Sequence, residues 1–217
     1  MLVSTQKNLE NGSTKKPTNK PMKRLSIYLF LILFTLPTPS QADDIRDFQI
    51  EGISIGDSLL NLVTGKKIQE EKIFLYPNKK YASFDFFELS EIYDTLQFSF
   101  LNTDKNFTIE MVSGGIQFFD NDIENCFKKQ KKIISEISKL FNNTKLNKKM
   151  NQAHFLDKSG KSKTHNMYFE LAAGDIVLVA CYDWSKKFED TGNYFDFLRV
   201  VMYSKKFSDW LEYESDK

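Results

Sequence analysis

Residues that could bind a ligand or do chemistry concentrate in one polar stretch, residues 142–165, which contains both histidines of the chain. Six lysines and a single carboxylate, Asp157, give this stretch a net charge of +5. A basic segment of this kind can bind an anionic surface, lipid headgroup or polymer. A solvated crossover loop is the simpler alternative, because charge runs usually just face water. The candidate ligand-binding residues of the stretch are Lys158, Lys161, Lys163 and His165.

Two patterns within this stretch resemble known sites without completing them. Residues 159–162, Ser-Gly-Lys-Ser, match the end of a phosphate-binding loop, but Phe155 stands where its first glycine is required. The candidate metal ligands are His154, Asp157 and His165, but two histidines eleven residues apart match no compact ligand set. The sequence therefore predicts neither a bound nucleotide nor a metal, and no other cofactor.

Familiar catalytic motifs do not occur elsewhere in the sequence. The run 120–124 suggests a calcium loop, but Asn125 occupies the position of the required glycine. The chain contains no Gly-x-Ser-x-Gly elbow and no His-Glu-x-x-His pair. We therefore predict no catalytic residue. Tyr182 and Trp184, at the end of a predicted strand, are further ligand-binding candidates because strand ends often carry function.

Alternation of apolar with polar or small residues begins at Tyr81 and is typical of half-buried antiparallel strands. Strands are predicted over 81–86, 96–100, 107–111, 116–119, 167–171, 175–184 and 198–202. The adjacent Gly114 and Gly115 predict a bulge, bend or turn. Residues 142–165 show no period and are predicted to form a long polar loop.

One strong helix is predicted from Asp122 to Phe141, because its apolar residues form a broad stripe and Asn121 can cap it. Shorter helices are expected near the mature N-terminus, after Ser58, and at the C-terminus, after Ser204. These elements predict an α+β fold, in which the helix over 122–141 packs on a mainly antiparallel sheet. The order of strands and helices also suggests a tandem β-β-β-α repeat.

The only two cysteines are Cys126, on the apolar stripe of the long helix, and Cys181, in the apolar strand. Packing of this helix on the sheet could bring them together, and an oxidising compartment favours a bond between them. We predict a disulfide, with two buried free thiols as the alternative. No Cys-x-x-Cys pair indicates a redox-catalytic role.

Residues 22–42, MKRLSIYLFLILFTLPTPSQA, have the parts of a cleavable signal peptide: a basic start, an apolar run and small residues at its end. The apolar run of twelve residues is too short for a transmembrane helix, which needs about 20. We therefore predict cleavage after Ala42 and a periplasmic or secreted product, with an uncleaved signal anchor as the alternative. Residues 1–21 are read as a disordered extension or an unused upstream start.

Removal of the predicted signal peptide changes the net charge of the chain. The first 42 residues hold six of the 30 Lys and Arg and one of the 29 Asp and Glu, which leaves 24 cations and 28 carboxylates. The mature chain, residues 43–217, therefore has a net charge near −4. A negative net charge does not indicate a nucleic acid as the partner. Its length fits a single domain, and no transmembrane span is predicted in it.

Two resemblances accompany these patterns. The stretches DFQIEGISIGDSLLN, DKSGKSKT, CYDWS and LRVVMYSKKFSDWL resemble a family of small exported proteins of unknown function from AT-rich marine bacteria. This resemblance spans residues 47–211 and implies a self-contained exported domain without known catalytic residues. The segment IEGISIGDSLLNL also faintly resembles small accessory lipoproteins of the outer-membrane barrel-assembly machine, which implies an envelope partner.

Three functions are compatible with the sequence. The leading hypothesis is a non-enzymatic exported binding domain that uses its sheet surface or its basic loop, with an anionic envelope component or another envelope protein as partner. The second is an envelope-associated scaffold or assembly protein. The third is a hydrolase with a dispersed site, since such a site leaves no sequence motif.

Overall fold

A computed structural model describes most of residues 44–215. The described residues are 44–70, 73–86, 90–119, 122–141, 144–192 and 194–215. The predicted N-terminal extension, 1–21, and the predicted signal peptide, 22–42, lie outside these residues. So does Asn121, the predicted cap of the long helix.

An eight-stranded antiparallel sheet forms the centre of the molecule, with strand order β1-β2-β3-β4-β8-β7-β6-β5. The alternating apolar residues explain it, since each face of the sheet is buried by a separate apolar cluster. The strands are β1 (Phe74–Leu75), β2 (Tyr81–Phe86), β3 (Thr95–Leu101), β4 (Met111–Phe118), β5 (Leu146–Ala153), β6 (Lys163–Glu170), β7 (Ile176–Asp183) and β8 (Asp196–Tyr203).

Within the described residues, four α-helices accompany the sheet: α1 (Gly65–Glu70), α2 (Ile123–Leu140), α3 (Lys186–Glu189) and α4 (Lys205–Tyr213). The predicted α+β fold with one long helix is therefore confirmed. The cap of α4 is also as predicted, because the Ser204 hydroxyl accepts a hydrogen bond of 3.1 Å from the Phe207 backbone N–H. Nearer the N-terminus, Ser58 caps a short 3-10 turn, Leu59–Asn61.

The two halves of the chain have matching strand arrangements. Each half contributes a four-stranded meander, and β4 of the first pairs with β8 of the second at the centre of the sheet. Each meander is followed by a helix, α2 and α4, but it has four strands where the predicted β-β-β-α unit has three. The helices pack on opposite faces of the sheet, however, so the similarity extends to the strands and not to helix placement.

The prediction of a long loop over 142–165 is wrong for most of its length. Residues Leu146–Ala153 form β5, which pairs with β6 and leaves only a short connection over 154–162. The strand lacks apolar alternation because it lies at the edge of the sheet and most of its residues are exposed. A register shift between Lys149 and Gln152, with Asn151 at φ 56°, breaks the period further.

The predicted break at Gly114 and Gly115 is also wrong, because both residues continue β4 in regular pairing with β3 and β8. Their role is to admit neighbouring side chains. A Cβ on Gly114 would lie 2.5 Å from the Tyr93 ring, and one on Gly115 would lie 2.6 Å from the Thr95 hydroxyl. Glycine within a strand here indicates close packing against the sheet, not a turn.

The two faces of the sheet carry different side chains. The face under α2, called the α2 face, is mainly aliphatic and phenylalanine-rich. The opposite face, called the α4 face, carries tyrosine and tryptophan, with Phe207, Trp210 and Leu211 of α4 packed on it. Aromatic contacts such as Tyr81 to Trp210, with ring centroids 4.6 Å apart, hold α4 in place.

A disulfide joins α2 to the sheet, which confirms the predicted pairing. Cys126 and Cys181 are fully buried, and their Cα atoms are 6.0 Å apart. The bond fixes the N-terminal half of α2 over β7, next to the central strand β8.

Removal of this bond should destabilise the protein by roughly 2 to 4 kcal/mol, because the unfolded chain gains the freedom of a 55-residue loop. Urea denaturation of residues 43–217 should show this as a lower midpoint for the double variant Cys126→Ala/Cys181→Ala. Dithiothreitol should lower the wild-type midpoint and leave that of the double variant unchanged. An unchanged wild-type midpoint after verified reduction would contradict the prediction.

Candidate functional site

The connection between β5 and β6 is organised around the carboxylate of Asp157. Its Oδ1 accepts hydrogen bonds from the Ser159 backbone N–H at 2.9 Å and the Ser159 hydroxyl at 2.6 Å. Its Oδ2 accepts from the Ser162 backbone N–H at 2.9 Å, the Ser162 hydroxyl at 2.7 Å and the Ser185 hydroxyl at 3.1 Å. These bonds hold the pKa of Asp157 well below its usual range. The only carboxylate of the segment is therefore directed inward.

The lysines of the segment are left without carboxylate partners. Among the described residues, none of their ammonium groups lies within 4.0 Å of a carboxylate. Five of them are exposed: Lys145, Lys148, Lys149, Lys158 and Lys161. Lys163 differs, since it is half-buried at the start of β6 and pairs in register with Asp183. The structure thus gives a basic hairpin, defined here as residues 144–163, at the open edge of the sheet.

The hairpin carries lysines toward both sides of the sheet. Lys148 is in register with Met167, which packs on the α2 face. Lys149 is the next residue and therefore points to the α4 side, where its Nζ lies 5.7 Å from the centre of the Tyr168 ring. A partner approaching from either side or along the edge meets positive charge.

The predicted ligand-binding residues do not form one site. His165 lies on the α2 face, in register with Cys181. Tyr182 and Trp184 lie on the α4 face, where they are 6% and 2% exposed. The Tyr182 ring stacks on Phe197 with centroids 4.3 Å apart, so packing accounts for much of its surface.

Three ionisable side chains, His165, Asp183 and Asp196, lie in the strands near the start of α2. His165 is buried. Its ring packs edge-on against Phe127 with centroids 4.7 Å apart, and its Nε2 has no partner among the described residues. Burial lowers the pKa of His165, against the opposing effect of Asp183. Burial also raises the pKa of Asp196 to about 6, although that carboxylate accepts a 2.9 Å hydrogen bond from the Trp184 backbone N–H.

These side chains could exchange protons with each other, and two of them are buried. His165 is 6% exposed and Asp196 is 1% exposed. Within the described residues, no set of three or more His, Cys, Asp and Glu side chains could hold a metal ion. His154 and His165 are in fact on opposite faces of the sheet, since the His154 ring contacts Trp184 with centroids 4.3 Å apart.

A second polar group, on the α4 face, is centred on Arg199 and was not predicted from the sequence. Arg199 of β8 is 8% exposed. Its Nε donates a 2.7 Å hydrogen bond to the Ser113 hydroxyl of β4, and its Nη2 donates to the Gln97 side-chain oxygen of β3. The Gln97 amide nitrogen then donates a 2.7 Å hydrogen bond to Asp85 of β2. This row, called the Arg199 row, crosses four adjacent strands.

Tyrosine hydroxyls lie near the guanidinium of this row. Tyr76, Tyr182 and Tyr203 are all close enough to Arg199 to interact with its charge. The Tyr76 hydroxyl is engaged, since it accepts a 3.1 Å hydrogen bond from Ser83. The buried Tyr203 hydroxyl has no partner among the described residues. Burial raises the pKa of Tyr203, so this hydroxyl stays protonated and can donate.

Comparison with protein-family models, with curated proteins and with solved structures finds no match for the chain. The resemblances to exported proteins and to barrel-assembly lipoproteins stay predictions. Across the part of the chain that the structure describes, every helix is too short or too polar to traverse a lipid bilayer.

The buried His154 should make stability pH-dependent. Burial lowers its pKa to about 4, against the opposing effect of Asp157, whereas the unfolded chain has a value near 6.5. The unfolded chain therefore binds the proton more tightly, and stability is lost as the pH falls from about 6.5 toward 4. Between pH 7 and pH 5 this group should cost about 1 to 2 kcal/mol.

Urea denaturation of wild type and His154→Phe at both pH values measures this effect. Phenylalanine keeps a ring against Trp184 and Tyr182 but does not titrate, so the variant should lose less stability at pH 5 than wild type. Other titrating groups, including Asp196, are common to both proteins and cancel in the difference. Identical losses in the two proteins would show that His154 titrates normally.

Proposed function

We propose that the protein is an exported, non-enzymatic binding domain whose basic hairpin engages a polyanionic component of the cell envelope. The observation that carries this proposal is the unpaired charge of the hairpin. Its five exposed lysines have no carboxylate within 4.0 Å among the described residues, and Asp157 is held by three serines.

The net charge of the rest of the chain supports the proposal that the hairpin binds the polyanion. The mature chain has a net charge near −4, so its remainder repels a polyanion and the hairpin is the part that attracts one. The alternative role of these lysines is structural, because exposed lysines on an edge strand prevent it from pairing with a strand of another molecule. A structural role alone does not require the additional lysines of the connection, Lys158 and Lys161.

The geometry favours an extended polymer over a flat membrane. Lys148 and Lys149 point to opposite sides of the sheet, so only part of the charge can face a plane at one time. A flexible polyanion can contact both sides and the tip together.

Export is a separate prediction of this proposal. Expression of the full chain in a bacterial host should yield a periplasmic or secreted protein whose N-terminal residue is Asp43, because peptidase cleavage is predicted after Ala42. Intact-mass measurement and N-terminal sequencing of the fractionated product test it. Deletion of residues 22–42 should retain the protein in the cytoplasm. Recovery of the full-length product in the membrane fraction would instead indicate an uncleaved anchor.

The hairpin itself is tested by salt elution from a heparin column, with heparin as a model polyanion. The mature triple variant Lys148→Ala/Lys158→Ala/Lys161→Ala should elute at a clearly lower salt concentration than wild type, because fewer counterions are released on binding. The matched control is Lys131→Ala/Lys132→Ala/Lys139→Ala on the exposed side of α2. This variant has the same net charge and should elute near wild type.

Equal shifts in the two triple variants would contradict a localised site and indicate attraction by net charge alone. Sedimentation with vesicles of phosphatidylglycerol, compared with phosphatidylcholine, separates the two kinds of partner. Hairpin-dependent binding to anionic vesicles without retention on heparin would favour a membrane surface over a polymer.

A further inference from the structure

The buried guanidinium of Arg199 lacks the partner that such a group normally has. Arginine is rarely buried to this extent without a carboxylate, because removing its charge from water is costly. Among the described residues, no carboxylate lies within 4.0 Å of Arg199, and the side chains to which it donates directly, Ser113, Gln97 and Tyr182, are neutral. Asp85 is reached only through Gln97.

The unpartnered polar groups on the same face are all able to donate hydrogen bonds. They are the hydroxyls of Tyr81 and Tyr203 and the indole N–H groups of Trp184 and Trp210. No buried carbonyl or carboxylate side-chain oxygen is left unpartnered among the described residues. A surface with surplus donors and a buried cation is complementary to an anion.

The position of Tyr203 relative to Arg199 indicates where on this face an anion would bind. They are four residues apart on β8 and therefore point to the same face. Arg199 reaches across β4 to Gln97 on β3, and its charge lies close enough to Tyr203 and Tyr182 to interact with both. The guanidinium and the Tyr203 hydroxyl can thus share one anionic group above β4.

We propose that the Arg199 row is a binding site for the carboxylate of a small organic acid with an aromatic or other apolar body. The carboxylate would accept hydrogen bonds from the Arg199 guanidinium and the Tyr203 hydroxyl. A planar carboxylate matches the fork of a guanidinium better than a spherical ion does. The half-buried ring of Phe197, stacked on Tyr182, offers apolar surface beside the row.

Asp85 limits the charge of the ligand. It is half-buried at the far end of the row and is linked to Arg199 through Gln97. Burial raises its pKa, against opposing contributions from Gln97 and Arg199. A dianion such as phosphate would be repelled by this carboxylate more strongly than a monoanion, which favours a monocarboxylate.

Isothermal titration of the mature protein with benzoate tests the site, with benzamide as the neutral analogue of the same shape and phosphate as the competing anion. Benzoate should bind saturably and at least tenfold more tightly than benzamide or phosphate. Arg199→Lys should weaken benzoate binding by at least tenfold, because lysine cannot form the bidentate contact. The control Arg46→Lys, at an exposed arginine, should bind as wild type does.

The variant Tyr203→Phe distinguishes a binding role of the Arg199 row from a purely structural one. The hydroxyl has no partner in the described structure, so its removal should leave the thermal midpoint unchanged or slightly raised. The same change should weaken benzoate binding by about tenfold, because one hydrogen bond to a charged group is lost. The matched control is Tyr213→Phe, at a tyrosine that is 61% exposed, and should change neither quantity.

The variant at Tyr203 keeps the proposal falsifiable if Arg199→Lys fails to fold. Full benzoate affinity in a folded Tyr203→Phe would overturn the proposal. Equal affinity for benzoate and benzamide, or tighter binding of phosphate, would overturn the assignment to a carboxylate. Small ligands commonly bind with a dissociation constant of roughly 1 mM or less. Absence of saturable binding at benzoate concentrations up to about 10 mM would therefore also overturn the proposal.

Discussion

The pairing of β4 with β8 is the constraint on which the rest of the structure depends. Eight residue pairs, from Met111 with Tyr203 to Phe118 with Asp196, join two meanders that would otherwise each have an open edge. This seam turns two four-stranded sheets into one continuous surface. It also places Ser113 of the first half within reach of Arg199 of the second, so the Arg199 row exists only when the seam is formed.

The two helices stabilise this surface in different ways. On the α2 face, the bond between Cys126 and Cys181 attaches α2 covalently, and the side chain of Gln130 donates to the backbone carbonyls of His165 and Val179. On the α4 face, α4 is held by aromatic packing and by the contacts of Ser204 and Lys206 with Glu110. The α4 face is thus held by noncovalent contacts alone, and it carries most of the unpartnered donors.

The sequence predicted those elements whose burial has a clear period. The long helix and the capped C-terminal helix were predicted because one face of each is apolar and the other polar. Strand β5 was missed because an edge strand with exposed side chains on both faces has no alternation to detect. The break predicted at Gly114 and Gly115 was wrong for a related reason. The side chains that fill the space beside these glycines, Tyr93 and Thr95, come from another part of the chain.

The Arg199 row shows why a buried polar site is harder to predict than a helix. Its members come from β2, β3, β4 and β8, and the bonds of Arg199 to Ser113 and Gln97 span 86 and 102 residues of sequence. No local spacing can record such distances. The available signal was a single charge within the apolar run FLRVVMY of β8. A lone arginine in a strand covered on both sides must find its partners across the sheet, because leaving it unpaired in the core is costly.

The basic hairpin and the Arg199 row attract anions by physically different means, and salt distinguishes them. The hairpin lysines act through water, where the Debye length is about 8 Å at physiological ionic strength, so their attraction weakens steeply as salt is added. The Arg199 guanidinium acts at hydrogen-bond distance and is 8% exposed, where screening is small and geometry decides affinity. An extended polyanion therefore fits the first surface, and a small planar carboxylate fits the second.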